Sequence, residues 1–133
     1  MRFEVLSAVW VMQDFRNREV WQANRRLTIA IYAAVRRFPP EERYGLAAQL
    51  RASVVSIGAN IAEAFGRGTR ADCARFLQIA TGSGTETQHH LITALDLGYL
   101  TQAEFDELDA LLGTVRRKLS NLLFRVRPSR VRR

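Results

Sequence analysis

Residues 44–65 read YGLAAQLRASVVSIGANIAEAF, and in this helix-length stretch the only charges are Arg51 and Glu63. Leu46, Leu50, Val54, Ile57, Ile61 and Phe65 recur at spacings of four, four, three, four and four, the repeat of one helical face. Beside that stripe runs a polar seam of Gln49, Ser53, Ser56, Asn60 and Glu63. What remains, Ala47, Ala48, Ala52, Val55, Gly58, Ala59 and Ala62, is small and uncharged. A helix with almost no solvated face must be covered on most sides, and a single domain of 133 residues cannot easily surround it. Small residues let another backbone approach closely, so the stretch predicts a subunit contact and a homo-oligomer.

The flanking sequence reads as three more helices on short connections. A first helix is expected over 18–38, with Val20, Trp21, Asn24, Leu27, Ile31, Val35 and Phe38 on one face and Arg18, Arg25 and Arg36 opposite. Pro39-Pro40 stops it, and Pro40-Glu41-Glu42 suits the start of the second helix, which then runs to Phe65. Gly66-Arg67-Gly68 ends that helix, and Thr69 with Asp72 caps a third over 70–97. Gly82 and Gly84 lie in its middle, each costing about 1 kcal/mol relative to alanine, which a close helix crossing would offset. Thr101 and Glu104 have capping-box spacing. The fourth helix follows, its Phe105, Leu108, Leu112, Val115, Leu119 and Leu122 forming a bundle seam. The expected fold is all-α, an antiparallel up-down-up-down four-helix bundle that assembles as a homo-oligomer. Residues 1–14 read as an N-terminal extension, 15–124 as the bundle and 125–133 as an Arg-rich C-terminal tail.

Charge is the second signal. The net charge is +7, and nineteen of the twenty basic residues are arginine. Arg16, Arg18, Arg25, Arg26, Arg36 and Arg37 cluster in 15–38, and the tail adds Arg125, Arg127, Arg130, Arg132 and Arg133. Guanidinium groups grip phosphate bidentately, which points to nucleic acid. The same residues would also serve a merely solvated face. The lone Cys73 and the lack of a signal-peptide pattern favour the cytoplasm, and the polar residues within 44–65 argue against a membrane.

Catalytic patterns are weak, and the chain reads as non-enzymatic, without cofactor or metal. Glu86-Thr87-Gln88-His89 has the Glu-x-x-His spacing of di-metal bundles, but such sites need two such helices and a further carboxylate from each of the others. No phosphate-cradling loop or nucleophile signature occurs. Ser56, Asn60, Glu63 and Arg67 on the second helix and Ser83 and Glu86 on the third instead suggest an inter-helix polar network that sets register.

The elements Phe38-Pro39, Tyr44-Gly45-Leu46, Gln49-Leu50-Arg51, Ala59-Asn60-Ile61-Ala62-Glu63, Gly66-Arg67, Gly82-Ser83 with Glu86, and Leu97-Gly98-Tyr99-Leu100 resemble the bacterial four helix bundle protein family. That family includes proteins encoded in intervening sequences of large-subunit ribosomal RNA genes. Its relatives include the accessory variability protein of diversity-generating retroelements. The resemblance covers about residues 15–124 and implies a bundle assembled as a ring-like homopentamer. For the retroelement relatives it implies a basic surface that binds RNA or DNA and a reverse transcriptase. Gly58 stands where the family usually has proline, Ala52 where it has a second arginine, and Gly84 where a larger residue is usual. Two functions follow as expectations: an accessory that binds nucleic acid through its arginines, or a protein-interaction scaffold that does not.

Overall fold

The computed structural model describes residues 14–127, and among them lie four α-helices and no strand. They are α1 (Glu19–Val35), α2 (Leu46–Phe65), α3 (Arg70–Asp96) and α4 (Gln102–Val126), with short 3-10 turns at Phe15–Asn17 and Pro40–Glu42. The all-α expectation holds. Residues 1–13 of the expected extension, and 128–133 of the expected tail, lie outside the described residues.

The boundaries correct the sequence reading in three places. The first helix stops at Val35 instead of Phe38, because proline disfavours helical backbone in the residue before it. Arg37 and Phe38 close onto Ala34 and Val35 in tighter turns. The second helix does not run unbroken from Pro40: Gly45, at φ −104° and ψ −116°, interrupts it. There the Glu42 carboxylate folds back to accept the Leu46 N–H at 3.0 Å, satisfying one of the orphan donors of α2. A Cβ at position 45 would stand 2.5 Å from that oxygen, so glycine leaves room for the cap. Lastly, α4 reaches Val126, whose side chain is fully buried, so the stretch read as a tail from residue 125 begins inside the helix.

The caps follow the sequence. Thr69 accepts from the Asp72 N–H, and Thr101 and Glu104 form a reciprocal capping box. The end of α3 is a Schellman turn: Gly98 takes φ +78°, Gly98 N–H bonds Leu95 and Tyr99 N–H bonds Ala94. An L-residue with a side chain would be strained there.

Leu50, Val54, Ile57, Ile61 and Phe65 of α2 are buried, against Leu27 and Ile31 of α1, Leu77 and Leu91 of α3 and Leu112 and Val115 of α4. Contacts fix the register. Arg18 stands over Phe65, Glu19 bonds Lys118, and Arg70 bonds the carbonyls of Arg125 and Val126. Far from these, Arg37 pairs with Glu104 and the Tyr99 hydroxyl donates to Glu42. Midway, the buried Asn24 amide donates to the Val54 carbonyl at 3.1 Å.

The small face of α2 is left partly open by its own chain. Val55 is 46% exposed, and Ala52 and Ala59 are exposed beside it. Gly82 has nothing within 4 Å of a notional Cβ, and Gly84 would make only ordinary contacts, at 3.7 Å to Arg116 and 4.0 Å to Ile57. The close crossing expected at these two glycines is therefore not made within the chain.

Candidate nucleic-acid interface

The arginines picked out in the sequence do not form one belt. Arg16 is exposed and folds onto Asp14, with its terminal nitrogen 2.6 Å from that carboxylate. Arg18 is half-buried, its guanidinium carbon 4.8 Å above the Phe65 ring. Arg25 is exposed and reaches over Trp21 at 5.9 Å, Arg26 is exposed beside it, and Arg125 and Arg127 are exposed at the end of α4. Arg36 and Arg37 sit at the far end of α1, and Arg37 is engaged by Glu104. Arg130 lies outside the described residues.

Folding gathers other cations beside the first group. Arg67 and Arg75 flank the Phe76 ring at 5.0 and 4.5 Å, and both approach Asp72 at 3.5 Å. Arg116 donates to Gln88 at 2.6 Å, Arg117 is exposed, and Lys118 reaches Glu19 at 3.0 Å. The half of the bundle formed by residues 14–26, 56–83 and 114–127 carries twelve basic and four acidic side chains, a net of +8. The half formed by 27–55 and 84–113 carries four basic and eight acidic ones, a net of −4. Composition and local clustering could not show this polarity, because it depends on which helix ends meet. The capping acids Glu42 and Glu104 lie on the acidic half. Backbone N–H groups of Leu46 and Thr101, with Tyr99 and Arg37, hold both carboxyls below their ordinary value.

The expected polar network divides into three parts. Ser56 and Ser83 hydroxyls meet at 2.8 Å across α2 and α3, and the Asn60 amide donates to the Ser56 carbonyl at 2.9 Å. Glu63 and Arg67 form a separate surface pair at 3.0 Å, and Glu86 turns outward to His90 at 3.2 Å. The single network is thus corrected: Glu63 and Glu86 are exposed, since a carboxylate is cheaper to keep in water than to bury. Sequence reading missed Thr87, fully buried and 2.9 Å from the Ser53 hydroxyl. Cys73 is buried too, and desolvation pushes its thiol up to about 11.

Four helices around one core, with positive charge collected on one half, define a small all-α bundle protein with a polarised arginine-rich surface. The chain belongs to the 23S rRNA-intervening sequence protein family, whose profile matches residues 16–121. Among solved structures it is similar to a protein of unknown function from the S23 ribosomal protein family of Bacteroides thetaiotaomicron. That likeness has a TM-score of 0.71 at 23% identity, spanning 78% of this chain and 97% of the other, and it speaks for the fold alone. No curated protein matches the chain. Among the described residues, no helix is long and apolar enough to cross a membrane.

Proposed function

We propose that this protein is a non-enzymatic accessory that binds nucleic acid through the basic half of its bundle and works as a homo-oligomer. The observation that carries the reading is the segregation of charge, +8 on one half against −4 on the other. A uniformly solvated surface has no need of such separation, whereas a polyanion is steered to and held by one positive face. The family's tie to intervening sequences of 23S rRNA favours RNA as the polyanion and the cytoplasm as the place. Arg16, Arg18, Arg25, Arg26, Arg125 and Arg127 serve as phosphate contacts, joined by Arg67, Arg75, Arg117 and Lys118. Arg36 and Arg37 drop out.

The contacts between helix ends support an antiparallel up-down-up-down order. Two apolar patches support assembly. One is a groove of about 350 Å³ between α1 and α2, lined by Trp21, Ile29, Val55, Gly58, Ala59 and Ala62. The other lies on α3, where Ile79 is 43% exposed and stands three residues before the exposed Gly82. A closed ring needs two different patches per subunit, and the pentamer implied by resemblance has that requirement. The acidic half suits a basic protein partner, as a reverse transcriptase would be.

The test is binding of labelled structured RNA, duplex DNA and single-stranded DNA across a salt series, with the full chain and a form ending at Arg127. Micromolar or tighter binding with a steep salt slope is expected, largely kept without residues 128–133. Absence of binding to all three at physiological salt would refute the reading in favour of a protein-interaction scaffold.

A further inference from the structure

Where α1 begins and α4 ends, like charges converge on a cleft of about 420 Å³. Arg18 and Glu19 line one side, and Lys118, Asn121 and Arg125 the other. Among the described residues three cations and one carboxylate share the space, and that carboxylate, Glu19, is drawn to Lys118 at 3.0 Å.

The surroundings favour an anion further. Phe65 supports one face of the Arg18 guanidinium at 4.8 Å and so restricts its direction. Burial first, and the nearby Arg125 second, hold Arg18 below the ordinary guanidinium value. The C-terminal carbonyls of α4 would ordinarily repel an anion here. Arg70 covers them, donating to the carbonyls of Arg125 at 2.8 Å and Val126 at 3.2 Å. Among the described residues no side chain caps the first turn of α1, whose one acidic residue is Glu19 itself.

We infer that this cleft is a phosphate site that takes one backbone phosphate of a bound nucleic acid. Arg18, Arg125, Lys118 and the Asn121 amide are its donors, and Glu19 is a built-in competitor for Lys118. The inference rests on the nucleic-acid reading above and adds the position at which the strand is gripped. The phosphate displaces Glu19 from Lys118 and bridges Lys118 to Arg125. A side-chain anion already in place makes the site selective for a ligand with more charge than a carboxylate.

Two arms test it on the full chain. In the first, inorganic pyrophosphate is titrated while the Asn121 side-chain amide is followed by NMR. A saturable shift is expected, lost in the Lys118→Ala, Arg125→Ala double variant and strengthened severalfold by Glu19→Gln. Glu63→Gln removes the same charge elsewhere on the basic half and serves as the control. Equal gains from Glu19→Gln and Glu63→Gln would mean a diffuse field without a site, and would overturn the inference.

In the second arm, a single-stranded RNA is bound across a salt series. The double variant should lower the log–log salt slope by about 0.7, the loss of one phosphate contact. Wild-type binding with an unchanged slope in the double variant would overturn the cleft and leave the nucleic-acid reading standing. A pyrophosphate shift with no nucleic-acid binding would refute both, since the cleft would then serve a free phosphate compound. Circular dichroism of each variant confirms that the helices are intact.

Discussion

The pair α2–α3 and the pair α1–α4 hold together in different ways. Between α2 and α3 the polar contacts are hydroxyls: Thr87 lies 2.9 Å from Ser53 in the interior, and the half-buried Ser56 lies 2.8 Å from Ser83. Between α1 and α4 they are ion pairs near the two ends, Glu19 with Lys118 and Arg37 with Glu104, all at least partly exposed. Small hydroxylated side chains let two helices approach while satisfying each other's hydrogen-bonding groups out of water. Long charged ones bridge a wider gap and stay solvated. The first arrangement is directional and hard to replace; the second is adjustable and weak. It follows that α2–α3 is the structural spine, and that α1 and α4 can carry a functional surface without risk to the core.

The strongest way to break that contrast is through the packing beneath the seam. Ile57 is fully buried on α2, close to Gly84 of α3. Ile57→Ala should cost about 2–5 kcal/mol, read from the denaturant midpoint at a fixed protomer concentration. A loss below about 1 kcal/mol would mean that α2 is not the centre of the core.

The hydroxyl seam itself comes next. Thr87→Val keeps the shape but takes a hydrogen-bond partner from Ser53, at an expected cost of about 1–3 kcal/mol. Ser53 keeps its bond to the Leu50 carbonyl at 3.2 Å but loses the donor it accepts from, so adding Ser53→Ala removes that unfilled acceptor and the double variant should recover part of the loss. Strict additivity in that cycle would show that the two hydroxyls do not communicate.

Gly82→Ala sharpens the comparison from the other side of α3. Nothing lies within 4 Å of the added methyl, and alanine is favoured over glycine in a helix by about 1 kcal/mol. The isolated subunit should gain up to that amount. If the same substitution lowers the oligomer mass in light scattering, the α3 patch is a subunit contact. An unchanged mass would move the contact to the α1–α2 groove alone.

Much of the spine is legible in the amino-acid sequence. The α2 stripe can be read because a helix with two charges in 22 residues has few ways to be exposed, and periodicity then names its buried face. Thr69, Thr101 and Gly98 announce the helix ends, since capping is a local matter of a few residues. Thr87 is not legible. It stands in the run Thr81–Gly82–Ser83–Gly84–Thr85–Glu86–Thr87, where hydroxyls look alike, and only the position of Ser53 on another helix makes this one buried. The basic half is hidden for the same reason at longer range. Lys118 is 99 residues from Glu19, and Arg70 is 55 from Arg125, so their grouping with Arg18 belongs to the fold and not to any local stretch. Arg37 shows the converse: its neighbours in sequence suggest a basic cluster, while folding gives it to Glu104.

The smallest expected effect concerns the ion pairs, and pH separates the two kinds of contact. Lys118 beside Glu19 holds that carboxyl below its ordinary value of 4.5. The Thr101 N–H, followed by Arg37, does the same for Glu104. A depressed folded-state value means that each carboxylate favours the folded form above about pH 4.5 and ceases to do so as pH falls through the lower value. The hydroxyl seam has no group that titrates in that range. Acidification below pH 4.5 should therefore loosen α1 from α4 before it touches α2–α3. In hydrogen exchange, amides in the first turns of α1 and α4 should lose protection first, while those around Ser53 and Ser83 keep theirs. Because both carboxylates are well hydrated, the shift in the global unfolding midpoint should be small, and high salt should shrink it further. If the α2–α3 amides open first instead, the spine has been assigned to the wrong pair of helices.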